Sequence, residues 1–161
     1  MMDAHLALSL INYLPFWPGQ RRVVSAILRA AVCPIGVDSL IGAPIYGDDL
    51  AGLRVGANVH IGRRLTVFGD AVVGDGCVLS ESVTLAAVNH LGFAGGKRDT
   101  QMGLIVIEPN CWIGCNVILC PNVRIGQGST IGAGSVVTHD VLPFSVAAGN
   151  PARVIRPCVR E

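Results

Sequence analysis

From Ile107 to Val137 an apolar residue returns at every sixth position: Ile107, Ile113, Leu119, Ile125, Ile131 and Val137, with Gly114, Gly126 and Gly132 directly behind three of them. An amphipathic helix repeats near 3.6 residues and a half-buried strand at 2, so a strict period of six points instead to a parallel β-helix of hexapeptides, an all-β solenoid. Four residues into each block stands a second small or branched side chain: Cys111, Val117, Val123, Ser129 and Ser135. Two inward positions per block suffice to line a narrow interior.

An earlier run has the same form. Val55, Ile61, Val67, Val73, Leu79 and Leu85 carry the period, and Val59, Leu65, Ala71, Cys77 and Val83 fill the second inward position. Ile35-Gly36 and Ile41-Gly42 look like the first two blocks, and a slip of two residues between Gly47 and Gly52 predicts a bulged corner. On these counts the solenoid has about four coils of three faces each.

Between Leu85 and Ile107 the spacing is 22, not a multiple of six. Residues 86–104 therefore leave the solenoid as one extended loop containing Asn89, His90, Gly92, Gly95, Gly96, Lys97, Arg98 and Asp99. Glycine supplies unusual dihedrals there, and polar side chains replace the aliphatic register. After Val137, His139-Asp140 and Pro143 break the pattern, and the segment AAGNPARVIR from Ala147 to Arg156 predicts a turn and a last strand or short tail laid back over the open end. The chain divides into a cap segment (1–34), the solenoid (35–142) and a C-terminal tail (143–161).

The start of the chain is apolar. Ala4 to Gln20 carries no acidic residue, lysine or arginine, but it is interrupted by Pro15, Pro18 and Asn12 and falls short of the ~20 apolar residues of a spanning helix. Met1, Met2 and Asp3 lack the positive region of a secretory signal. The segment is expected to cap the solenoid, with weak membrane-surface contact as the alternative. Val23, Val24, Ile27, Leu28 and Ala31 fall on one face of a short helix over 20–32, which would plug the coil's open edge.

Composition agrees with this picture: 51% hydrophobic but 5% aromatic, with 20 glycines. So much apolar surface on a small domain points to self-association. A formal charge of +1 with no basic stripe argues against a nucleic-acid partner. In a coil of three hexapeptides, residues about 18 apart stack at the ~4.8 Å strand spacing. Cys77 would then lie over Val59, Cys111 over Ser129, Cys115 over Ala133 and Cys120 over Thr138, so none of these four stacks on another cysteine. Reduced thiols serving as small core residues in a cytoplasmic protein follow from that. The cysteine spacing fits no zinc pattern, and His60, His90 and His139, at spacings of 30 and 49, lack a close pair of ligands; no metal is expected.

A closed solenoid has no cleft, so a site must come from the loop, a neighbouring subunit, or both. His90, at the root of the loop, can accept a proton at neutral pH. Trp112 follows the inward Cys111 and should point outward, as a pocket wall or a subunit contact. Arg153 and Arg156 suit a phosphate group or solvent equally. His60 is expected at a solvent-facing corner.

The ordered combination of VNH at 88–90, CWIG at 111–114, GAGSVVTHD at 132–140 and AAGNPARVIR at 147–156 resembles the hexapeptide-repeat acyltransferases. Within these it is most similar to the galactoside, maltose and colanic-acid O-acetyltransferases. The resemblance implies a left-handed parallel β-helix, a homotrimer with active sites between subunits, and acetyl-CoA as co-substrate. It also implies His90 as general base, removing the proton from an acceptor hydroxyl on a sugar or glycoconjugate. Cys115 matches a position whose backbone lies near the thioester, and Trp112 an aromatic wall. Ala133 and Thr138 match the edge that bonds the pantetheine arm; Arg153 and Arg156 match the tail residues that meet the CoA phosphates. His139 stands where lysine is usual, so one phosphate contact differs. The asparagine that galactoside-type enzymes place opposite the base has no counterpart, the nearest stretch being Leu65 to Phe68; Asn89 and Phe68 are the acceptor-side candidates. The alternatives are an N-acetyltransferase acting on an amino sugar or antibiotic, and a non-catalytic scaffold.

Overall fold

A computed structural model describes residues 4–15, 17–31, 33–47, 50–94 and 97–158, and the side chains there except at 4, 5, 31 and 90–99. Two helices, α1 (Ala4–Tyr13) and α2 (Gln20–Ala31), precede a run of short strands. The strands stack in parallel on three faces. On face A the register runs Ile35, Val55, Val73, Ile107, Ile125, Val141. On face B it runs Ile41, Ile61, Leu79, Ile113, Ile131, Ala147. On face C it runs Gly47, Val67, Leu85, Leu119, Val137. This is the parallel β-helix that the period of six requires.

The coil count rises from about four to about five. Ile45–Gly47 forms the missing third face of the first coil, and each long run fills two complete coils. Both inward positions of the blocks in the two long runs are closed to solvent: Ile113, Leu119 and Ile125 at the first, Val59, Cys77 and Val117 at the second, all at 0% exposure. Corners turn through left-handed residues, and asparagine holds Asn58, Asn110, Asn116 and Asn122 there because it tolerates that region better than other side chains.

The cap does more than cover apolar side chains. The first coil would leave three strand edges with unpaired backbone groups, and one side chain from the helices meets each face. Asn12 of α1 accepts from the Ile45 N–H and donates to its carbonyl, both at 2.8 Å. Ser25 of α2 accepts from the Ile41 N–H at 3.1 Å. Arg29 donates to the carbonyls of Ile35 at 3.0 Å and Gly36 at 2.8 Å. Asn12→Leu keeps the approximate volume but strips both partners from Ile45. Because Asn12 is itself open to water, the expected cost is about 2 kcal/mol, read as a midpoint shift in denaturant unfolding with an unchanged slope. An unshifted midpoint would show that the edge is satisfied without it. Among the described residues no helix is long and apolar enough to cross a membrane.

The interruption is an antiparallel hairpin, Val88–Ala94 against Lys97–Met102, inserted between face C and face A. It changes the stacking offset across it from 18 to 34, since Val78 pairs with Trp112. That corrects the cysteine expectation. Cys77 and Cys111, both buried and both free thiols, are stacked neighbours, and the Cys111 N–H approaches the Cys77 sulfur at 3.4 Å. Hydrogen bonding between the two thiols lowers the Cys77 pKa and raises that of Cys111, whose burial pushes it up further. His60 is corrected too: it lies exposed in the strand His60–Ile61 on face B, not at a corner.

The chain ends in an antiparallel pair. Ser145–Gly149 adds to face B beside Thr130–Ile131, and Ala152–Pro157 folds back along it after a cis Asn150–Pro151 bond.

Candidate active site

The expected site residues whose side chains are described all lie at the outer surface, most of them at two corners of the prism and the two arginines on the C-terminal strand. At the turn from face B to face C stand Trp112, Cys115 and Ala133. Trp112 is 57% exposed on the strand Trp112–Ile113 because its neighbours Cys111 and Ile113 take the inward positions. Its indole N–H donates to the Ser80 hydroxyl at 3.3 Å. Cys115 is exposed in the turn just beyond, and the Gly134 N–H donates to its carbonyl at 2.8 Å, which stacks Ala133 and Gly134 directly on this turn. Gly114 keeps the two turns close: a Cβ there would sit 2.6 Å from the Ala133 nitrogen.

The turn from face C to face A holds the other set. Phe68 is 39% exposed at the end of Leu65–Phe68, and its carbonyl accepts the Ala87 N–H at 2.7 Å at the root of the hairpin. Asn89 is exposed on the first hairpin strand. The His90 backbone lies in that strand opposite Thr100, while its imidazole lies outside the described residues. Two coils further on, Thr138 and His139 occupy the same corner, with Thr138 Oγ1 and His139 Nδ1 2.8 Å apart. Ala133 and Thr138 are separated by the width of face C, roughly 16 Å at ~3.3 Å per residue.

Arg153 and Arg156 are both exposed on the strand Ala152–Pro157, opposite Ala148 and Val146 at the end of face B. Each guanidinium donates to a neighbouring carbonyl, Ala152 at 2.9 Å and Pro157 at 3.2 Å, bonds that are easily exchanged for those of an anion. One chain thus assembles Trp112, Cys115 and Ala133 as one group and Phe68, Asn89, Thr138 and His139 as another. It does not join the groups.

Ser80 was not among the expected residues. It lies 32 positions before Trp112, and only the altered offset across the hairpin brings the two together. Ser80→Ala frees the indole and is expected to raise the KM for the donor severalfold with little change in kcat. A red-shifted Trp112 emission in a Trp17→Phe background should accompany the change; unaltered emission and KM would remove Ser80 from the site.

A family model described as bacterial transferase hexapeptide (six repeats) matches residues 105–139. The galactoside O-acetyltransferase of Escherichia coli (strain K12) is 34% identical over 149 residues, which cover 86% of this chain and 70% of that protein. Two solved structures share the whole architecture. A hexapeptide-repeat acetyltransferase from Vibrio cholerae, complexed with acetyl coenzyme A, has a TM-score of 0.86 at 26% identity, covering 98% of this chain and 86% of that one. A galactoside acetyltransferase in complex with coenzyme A has a TM-score of 0.84 at 27% identity, covering 97% and 79%. The chain belongs to the hexapeptide-repeat acetyltransferase family.

Proposed function

We propose that this protein moves an acetyl group from acetyl-CoA to a hydroxyl of a sugar or glycoconjugate, at sites formed between neighbouring subunits of a homotrimer. The observation that carries the intersubunit reading is the division of the site residues between two corners of one chain. Neither group is a site alone, and a ring of heterologous contacts would set one corner of a subunit against the other corner of its neighbour. The faces favour such contacts. The outward residues of face C are Tyr46, Thr66, Thr84, Ile118 and Val136, and those of face B include Leu40, His60, Val78 and Trp112, none of these an acidic residue, lysine or arginine. Face A instead presents Arg54 and the Arg124–Glu108 pair at 2.9 Å. Burying the parallel strands of faces B and C, with Arg153 and Arg156 confined to the last strand of face B, and leaving the charged face A in water is the less costly arrangement.

In the proposed reaction the neutral His90 imidazole takes the proton of the acceptor hydroxyl as its oxygen attacks the thioester carbonyl. The tetrahedral oxyanion is held by a backbone N–H, for which the turn at Cys115 is the candidate. Collapse breaks the carbon–sulfur bond, and the imidazolium returns its proton to the CoA thiolate. Trp112, Ala133 and Thr138 would border the pantetheine arm and His139, Arg153 and Arg156 the phosphates, with Phe68 and Asn89 on the acceptor side. The reading is supported by the coenzyme complexes of the related structures and by the acceptor in the name of the E. coli relative. Incubation with acetyl-CoA and matched panels of sugars and amino sugars tests it. Release of free CoA with O-acetylated product is expected. Acetylation of amines alone would replace the acceptor class, and no CoA release with any acceptor would overturn the reading.

A further inference from the structure

The outer surface of the N-terminal cap carries a set of side chains that neither the fold nor the proposed reaction uses. On α1, Leu6, Leu10 and Tyr13 follow one another at helical spacing and are 53%, 47% and 86% exposed, while Ala7 and Ile11 between them are buried. The cap's interior contacts and edge bonds fall to Ile11, Asn12, Val24, Ser25, Leu28 and Arg29. The exposed stripe is therefore surplus to stability.

Along the cap the charge is one-sided. Residues 4–37 hold three arginines, Arg21, Arg22 and Arg29, and no carboxylate, against a formal +1 for the whole chain. Arg29 is committed to the backbone of the first coil, leaving Arg21 and Arg22 as the exposed cations. Both line a hollow of about 290 Å³ with Trp17, Pro18 and Gly19, and Arg22 also borders a second hollow of about 480 Å³ with Arg29 and Asp38. Exposed leucines, a tyrosine and a tryptophan at the polar boundary, and adjacent arginines are what a helix lying in the plane of a lipid headgroup layer requires.

We propose that the outer face of this cap is a docking surface for an anionic lipid bilayer. Leu6, Leu10 and Tyr13 enter the headgroup and acyl boundary, and Arg21 and Arg22 meet lipid phosphates. Among the described residues that line the two hollows, Arg21, Arg22 and Arg29 face a single carboxylate, Asp38, and this excess of positive charge selects an anionic lipid surface over a neutral apolar partner. The attachment is peripheral, since α1 has ten residues.

Co-sedimentation of the full chain with vesicles tests the inference. Vesicles of phosphatidylcholine containing phosphatidylglycerol should pellet the protein at low salt, pure phosphatidylcholine should not, and high salt should release it. Arg21→Gln with Arg22→Gln should weaken vesicle binding about thirtyfold. Leu6→Ser with Leu10→Ser should abolish binding even though Arg21 and Arg22 are intact. Each changes only exposed side chains, so thermal unfolding and acetyl transfer to a soluble acceptor should match the parent. Absence of binding to anionic vesicles, equal binding to neutral ones, or variants that bind as the parent does would overturn the proposal. So would a loss of subunits from the assembly in the Leu6→Ser, Leu10→Ser variant, which would make the stripe a contact between copies.

Discussion

Replacing His90 by alanine is expected to lower acetyl transfer by about 10²–10⁴-fold, the usual contribution of a positioned general base. The position of its backbone explains why so much should rest on one residue. The hairpin leaves the prism at the corner where Phe68 receives the Ala87 N–H, and it is the longest departure from the six-residue step between face C and face A. In the proposed reaction the base is carried out of the coil by this hairpin. Since His90 lies beyond the two inward positions of the preceding block, its loss should leave the melting temperature and the assembly unchanged. The check is CoA release measured with a thiol reagent beside a light-scattering mass. Turnover equal to the parent would remove His90 from the reaction.

The second large effect is structural. Ile113→Ala should cost about 2–5 kcal/mol, while Ile113→Val costs only about 0.5–1.5. Ile113 is fully buried, pairs in register with Leu79 on one side and Ile131 on the other, and follows the strand position that turns Trp112 outward. A solenoid buries each coil only against its neighbours, so a cavity in the fourth coil cannot be filled from a distant part of the core. At about 2–4 °C per kcal/mol for a chain of this size, the melting temperature should fall by roughly 5–15 °C. The orientation of Trp112 should loosen with it, so the KM for the donor should rise in the alanine variant before the protein unfolds. A melting temperature within a degree or two of the parent would contradict the packing described here.

The inward residues were legible because they obey a local rule: a period of six names Ile107, Ile113 and Leu119 without knowledge of anything distant. What the chain hides is whatever crosses the hairpin or joins the cap to the coil. An offset of 18 sets Cys77 and Cys111 apart, yet they touch because the inserted hairpin lengthens that coil to 34. Ser80 meets Trp112 for the same reason. Asn12, Ser25 and Arg29 look like ordinary helix residues, and their pairing with Ile45, Ile41 and Ile35 depends on where the helices settle on the first coil. Motif order also conceals the partition of the site. Ala133 and Thr138 read as one continuous stretch, but they stand on opposite sides of face C.

That partition is the central claim, and subunit mixing tests it most directly. His90→Ala and Trp112→Arg damage different corners, and each alone should be inactive. In a site shared between subunits, a Trp112→Arg subunit supplies His90 and a His90→Ala subunit supplies Trp112. Co-refolding the two in equal amounts should therefore restore about a quarter of parental turnover, since about three-quarters of random trimers are mixed and each regains one site in three. If both groups served the same chain, no mixture could rebuild a site, and activity would stay at the level of the separate variants.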